Sequence, residues 1–358
     1  MPQLLKNLYN QELIALLSCA LEGEYSEFDV KKFKQFIFDN EWHQKELKQR
    51  IRHIAIALQK NLPANYQAAI KILTAIAPKF GGLEAMIFPD YVELYGLDEY
   101  KTSMVALAHF TKYSSSEFAV RPFIKKYDTK MMLQMHQWAL SSNHHVRRLA
   151  SEGCRPRLPW AMALPEFKKN PAPVLAILEK LKNDTSQYVR RSVANNLNDI
   201  SKDNPKILKN IANTWVGKTA EIDWIVKHAC RTLLKQGDSE IMNLFGFFKP
   251  VHINISKLEI QKSICLGDRL DFSFVLATNK PELGKLRIEY AIGFLKKNGS
   301  LSKKVFKVSE AQITQQKKAV SKSHSFKIIS TRRYYVGIHE LSIIVNGCEL
   351  ASHNFMLS

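Results

Sequence analysis

The 358-residue sequence is poor in cysteine, and its five cysteines form no useful pattern. At positions 19, 154, 230, 265 and 348 they are scattered, odd in number and without a CxxC spacing. That argues against a disulfide framework and a thiolate zinc site, and points to reduced thiols in a cytoplasmic protein. No run approaches the roughly 18 apolar residues of a membrane span. The opening MPQLLKNLYNQELIALLSCALEG is broken by Lys6, Asn7, Asn10, Gln11 and Glu12, and lacks the order of a signal peptide. Phosphate-cradling loops are missing too. Gly217–Lys218–Thr219 has Ala212 where a Walker A loop needs its first glycine, and no GxGxxG follows a strand. There is no HExxH ligand pair, no serine-nucleophile elbow and no dense acidic cluster to hold magnesium for a nuclease. The histidines are frequent but unpatterned. Any chemistry left open must use carboxylates, with neither cofactor nor metal.

Acidic charge is scarce as well. Lys and Arg number 52 against 33 Asp and Glu, a net charge of +19. Such a balance favours a polyanionic partner, nucleic acid or an anionic membrane surface. The excess is shared, about +9 on residues 250–358 and about +10 on the rest. A hydrophobic content of 46% is enough to bury a real core, and the length predicts two domains.

The hydrophobic period divides the chain. Up to residue 246 apolar residues recur at three- and four-residue spacing, as in DVKKFKQFIFDNEWHQKELKQRIRHIAIALQKNLP and YQAAIKILTAIAPKF, with Pro63, Pro78 and Gly81–Gly82 where helices should stop. HVRRLASEG from 145, YVRRSVANNLNDIS from 188 and WIVKHACRTLLKQGD from 224 repeat at spacings of 43 and 36 residues, the signature of stacked helical pairs. The pairs Arg147–Arg148, Arg190–Arg191 and Lys227–His228 then align as a basic stripe. After Pro250 the period becomes two. HINISKLEI, LDFSFVLAT, KLRIEYAIGFL, VFKVSEAQI, HSFKII and GIHELSIIVNGCELASHNFML read as strands. Asn298–Gly299 and Asn346–Gly347 read as two-residue hairpin turns with both residues at positive φ. The fold class expected is an all-α HEAT-like helical solenoid over 1–246, followed by an all-β immunoglobulin-like sandwich over 250–358, joined by GFFKP. The lysine clusters LKKNGSLSKKVFK and TQQKKAVSKSHSFK fall near predicted turns.

One segment resists a purely anion-binding reading. SSNHHVRRLASEGCRPRLPWAMAL, residues 141–164, sets a single acid, Glu152, among His144, His145, Arg147, Arg148, Arg155 and Arg157, followed by Trp160. A carboxylate in a phosphate-binding groove repels phosphate, so it needs something positive to stabilise. An oxocarbenium-like sugar cation is such a thing, and glycosidic cleavage forms one. Glu117, in KYSSSEFAVRPF, lies 35 residues earlier, about one repeat, with Tyr113 four residues before it on what reads as one helical turn. Two plainer readings stand beside this. Glu117 fits a helix N-terminus after its serine run, and Glu152 fits an ion pair with Arg148 four residues earlier.

VRRLASEGCRPRLPWA and SEFAVRPF, followed by YVRRSVANNLNDISKDNP, resemble the AlkC-type DNA alkylation repair glycosylases of the HEAT-like repeat superfamily, relatives of AlkD. The resemblance covers the helical region, and some members carry a C-terminal immunoglobulin-like domain. It implies a monofunctional glycosylase excising cationic N3-alkylated bases, 3-methylcytosine and 3-methyladenine, from duplex DNA without flipping the base into a pocket. It implies Glu117 and Glu152 as the acids, and Trp160 and Tyr113 as aromatic groups beside the lesion. Arg147, Arg148, Arg155, Arg157, Arg190, Arg191, His228 and Arg231 are the candidate DNA contacts, and Pro156 and Pro159 stiffen the loop carrying three of these groups. A cytoplasmic monomer without cofactor, its second domain clamping DNA, is the expectation. The competing class is a non-catalytic helical scaffold for nucleic acid or acidic proteins, which gains nothing from the two acids.

Overall fold

The computed structural model describes residues 4–329 and 332–358, so the first three residues of the N-terminal segment read above lie outside it. Among the described residues thirteen α-helices precede residue 230: α1 (Gln11–Glu24), α2 (Val30–Ile37), α3 (Leu47–Asn61), α4 (Tyr66–Ile76), α5 (Ile87–Tyr95), α6 (Tyr100–Phe110), α7 (Val120–Trp138), α8 (His144–Gly153), α9 (Pro165–Lys169), α10 (Ala172–Leu181), α11 (Gln187–Ile200), α12 (Pro205–Trp215) and α13 (Ala220–Ala229). Their starts follow local chemistry. The side chains of Asn10, Asp29, Asn65 and Asn143 cap α1, α2, α4 and α8 by accepting from backbone amides. Pro63 and Pro78 lie just beyond the ends of α3 and α4, as their missing N–H groups require. Among the described residues no helix is long and apolar enough to cross a membrane.

The repeat is real and governs the packing. α8 and α13 pack against the two sides of α11, and α7, α10 and α12 are the partner helices of the three pairs. On α8 the buried positions Val146, Leu149, Ala150 and Gly153 follow helical spacing. Gly153 is required there, because a Cβ at that position would come within 2.6 Å of the Val120 side chain on α7.

The chain divides into two compact units, one ending at Ala229 and one running from Cys230 to Ser358. Two short helices, α14 (Arg231–Lys235) and α15 (Ser239–Leu244), belong with the strands: β1 (Ile253–Ile260), β2 (Ser263–Ile264), β3 (Arg269–Thr278), β4 (Gly284–Leu295), β5 (Leu301–Ile313), β6 (Lys317–Ser325), β7 (Gly337–Val345) and β8 (Cys348–Leu357). Gly237 and Gly347 touch backbone to backbone, a Cβ on Gly237 falling 2.7 Å from the Gly347 oxygen, and Asn346 Nδ2 donates to the Phe248 carbonyl at 2.8 Å. The strands form sheets β1-β3-β6 and β2-β8-β7-β4-β5, antiparallel except for the β2–β8 pair. Alternate residues fill the sandwich core: Leu270, Phe272, Phe274 and Leu276 from β3, and Leu286, Ile288, Tyr290, Ile292 and Phe294 from β4.

Two expectations change here. Asn346 and Gly347 both take positive φ, 48° and 78°, as a type I′ turn demands. At Asn298–Gly299 only Gly299 does, and the Asn298 side chain instead accepts from the Ser300 amide. The predicted strand HSFKII contributes only His324 and Ser325, because β6 starts earlier at Lys317. The lysine clusters flank turns as expected: Lys296 and Lys297 lie in the β4–β5 turn, while Lys303, Lys304 and Lys307 on β5 and Lys317, Lys318 and Lys322 on β6 line one edge of each sheet. Edge lysines keep exposed strand edges from pairing with other chains.

Candidate active site

Three segments of the helical unit meet at one open cleft. The turn after α6 brings Tyr113, Ser115, Glu117 and Phe118, α8 brings His145, Arg148 and Glu152, and the loop after α8 brings Arg155, Leu158, Pro159 and Trp160, with Tyr188 from α11. Glu152, on the last turn of α8, is only 4% exposed. Its Oε1 accepts from Arg155 Nη1 at 2.6 Å and pairs with Arg148 Nη2 at 3.3 Å. Its Oε2 accepts from the Ser192 hydroxyl at 2.6 Å, and Ser192 is bonded in turn by Ser151 at 2.7 Å. Arg148 Nη1 reaches the other way, to Glu117 Oε2 and to Ser115 Oγ at 2.8 Å, while its guanidinium lies 4.9 Å from the Tyr188 ring centre. Arg155 continues the chain through Nε to Asp199 Oδ2 at 2.8 Å.

The result is a row of alternating charge, Glu117, Arg148, Glu152, Arg155, Asp199, with one more carboxylate than guanidinium. Burial works against the charge on both arginines, yet the flanking carboxylates outweigh it and hold their pKa above the ordinary arginine value. At the rim, burial and the neighbouring His144 and Arg148 lower the His145 pKa. Tyr188 is raised by burial, only partly offset by Arg148. Cys154 sits beneath the site but is inert, its thiol pushed up to about 12 by burial.

The structure brings together Glu117, Glu152, Tyr113, Trp160, Arg148 and Arg155. Tyr113 and Glu117 do not share a helical turn as expected. The chain runs as turns from Thr111 to Ala119, α7 starts at Val120, and the two residues meet across a bend. The remaining arginines have separate tasks. Arg147 makes a two-pronged pair with Asp184 at 2.6 and 2.9 Å and donates to the carbonyls of Ser141 and Ser142. Arg190 donates in the same way to the carbonyls of Asp184 and Thr185. Arg157 is exposed and forks onto Asp203. Arg191 is exposed on α11. His228 is half-buried, bonds Asn195 Oδ1 at 3.0 Å and stacks on Trp224. Arg231 opens α14 in the second unit.

Sequence reasoning missed Asp199, Ser192, Tyr188 and Arg121. The repeat held a signal for one of them. Tyr188 stands 43 residues after His145, at the same repeat position, and both rings line the cleft. Pro156 and Pro159 were expected to stiffen the loop, and Arg121, which is fully buried, holds it too, bonding the Gly153 carbonyl at the end of α8 and the Arg155 and Met162 carbonyls of the loop.

A HEAT-like repeat unit with an acid-lined cleft, joined to a β-sandwich, defines the class of protein. The family model "Uncharacterised protein YhaZ, C-terminal Ig-like domain" matches residues 254–358. The "Uncharacterized protein YhaZ" of Bacillus subtilis (strain 168) is 47% identical over 345 residues, 96% of each chain. The solved structure of Pseudomonas fluorescens alkylpurine DNA glycosylase AlkC bound to DNA containing an abasic site analog is 34% identical, covering 99% of this chain and 100% of that one, with a TM-score of 0.95. The chain belongs to the AlkC family of helical-repeat proteins and carries a C-terminal immunoglobulin-like domain, as the arginine–proline motifs led us to expect.

Proposed function

We propose that this protein is a monofunctional DNA glycosylase that hydrolyses the N-glycosidic bond of cationic N3-alkylated bases, 3-methylcytosine and 3-methyladenine, in duplex DNA. The observation that carries the reading is the meeting of Glu117 and Glu152 across Arg148 in one open cleft edged by Trp160, Tyr113 and Tyr188. The 34% identical relative, an alkylpurine DNA glycosylase seen on abasic-site DNA, supports it. The chemistry suits the groups present. An N3-alkylated base carries a positive charge and leaves with the C–N electron pair as a neutral molecule, so no general acid is needed. Positive charge develops on the sugar, where the carboxylates stabilise it. Water then attacks C1′ and gives up a proton to a carboxylate. Both oxygens of Glu152 are engaged by arginine and serine, so it acts as the fixed negative charge. Glu117 is the more exposed of the two and orients the water. Lability of the bond, rather than a closed base pocket, supplies selectivity. The protein works as a cytoplasmic monomer, without a cofactor, and the lysine-rich β-sandwich helps clamp the DNA.

Base release from methylated duplex DNA, measured without divalent metal, tests this. Wild type should release 3-methyladenine or 3-methylcytosine, and E117Q and E152Q should each slow single-turnover release by roughly a hundredfold or more while binding DNA as well or slightly better. Equal release by wild type and both variants would remove the acids from the mechanism. No release by wild type, with DNA still bound, would favour the scaffold.

A further inference from the structure

Arg121, at the start of α7, is fully buried, yet among the described residues it makes no ion pair. Its Nε donates to the Met162 carbonyl at 2.7 Å, and its Nη1 to those of Gly153 and Arg155 at 2.8 and 2.9 Å. One guanidinium thus grips both ends of the loop after α8. Its Nη2 is buried with no hydrogen-bond partner among the described residues. Burial pulls the pKa down to about 10, which still leaves a cation at neutral pH. A buried, unpaired cation is a costly way to fasten a loop if folding is the only aim.

What the loop carries suggests the reason. Trp160 has φ 64°, a left-handed conformation that bulky residues rarely adopt, and the residue is 65% exposed at the cleft. Strained backbone persists where its surroundings over-determine it. A second cation holds the same residue from another helix. Lys48 Nζ on α3 donates to the Trp160 carbonyl at 2.9 Å and lies 5.2 Å from the ring centre of Phe118, the neighbour of Glu117. Lys48 therefore ties one rim of the cleft to the other.

We infer that Arg121 and Lys48 are positioning residues that lock the loop after α8 in one preformed shape, presenting the Trp160 indole to the DNA strand at a set distance from Glu117 and Glu152. This rests on the glycosylase reading for its activity assay, but the loop's rigidity is measurable without it. Preorganisation of this kind acts on rate more than on affinity.

The test uses the full-length protein and the variants R121K, K48M and W160A, alone and combined. R121K should slow single-turnover base release about 10- to 100-fold and K48M a few-fold, with affinity for duplex DNA unchanged. In the W160A background neither should slow release further, because the residue they position is gone. Independently of activity, the emission of Trp160, isolated by subtracting the spectrum of each matching W160F protein, should become more quenchable by acrylamide in R121K and K48M. Rate losses that multiply with W160A, or an unchanged Trp160 signal, would overturn the inference. Lys48 is exposed, so K48M carries both tests if R121K fails to fold. If wild type releases no base, the glycosylase reading fails and the Trp160 signal alone decides this one.

Discussion

α8 and α11 are two copies of one repeat, 43 residues apart, and their likeness stops where the cleft begins. Arg147 and Arg190 do the same job in each, bonding the carbonyls six and five residues earlier and so tying the preceding loop to the helix. The next position diverges. Arg148 lies between two carboxylates, whereas Arg191 faces solvent. Glu152 becomes Asn195, which bonds His228 instead. The repeat supplies a stiff scaffold with a reserved arginine, and function enters through the positions where one copy departs from the next. A basic pair in the sequence is therefore two residues with two roles.

Breaking the scaffold arginines should show the largest effect. The Arg147 side chain is only 17% exposed and its partner Asp184 4%. R147M leaves that carboxylate buried and unpaired and should cost about 3 kcal/mol. For a unit of this size that is a fall in Tm of roughly 6–12 °C, read by thermal unfolding. R190M loses two carbonyl contacts and a longer-range attraction to Asp184, but no direct ion pair, and should cost about 1 kcal/mol. Equal losses would mean that the Asp184 pair adds nothing.

Acidification sharpens the same contrast. Burial pushes the Asp184 carboxyl up, but Arg147 and the Ser186 amide outweigh it and hold the group below its ordinary pKa. A depressed folded-state pKa stabilises above the unfolded value near 4, and that contribution is lost as pH falls through the folded value. The stability gap between wild type and R147M should therefore be constant from pH 7 to about 5 and close below about pH 4. A gap that stays constant to lower pH would rule out the pairing as its source.

The smallest effect belongs to the exposed position. R191A should leave Tm unchanged and reduce the slope of log affinity for duplex DNA against log salt by about 0.9, the value for one phosphate contact. K317A, K318A and K322A on the β6 edge give the same slope change each if the sandwich clamps DNA, and none if those lysines only guard a strand edge.

Much of this was legible in the chain itself. The caps, the proline stops, the 43-residue repeat and the switch from period three-to-four to period two are local, and short-range chemistry sets them. Glu152 stood out because a carboxylate is anomalous in a basic segment, and Glu117 because it lies 35 residues earlier, about one repeat. Asp199, Ser192 and Arg121 carried no such mark. They lie in ordinary helical sequence, and their partners are 32 to 44 residues away along the chain. Which arginine meets which acid, and which is free to meet phosphate, follows from how α7, α8 and α11 pack. Side-chain periodicity shows which face of a helix is buried, but it cannot say what that face will touch. Helix packing makes that choice: it turned one arginine of each pair inward to brace the fold and left the other to the cleft or to solvent.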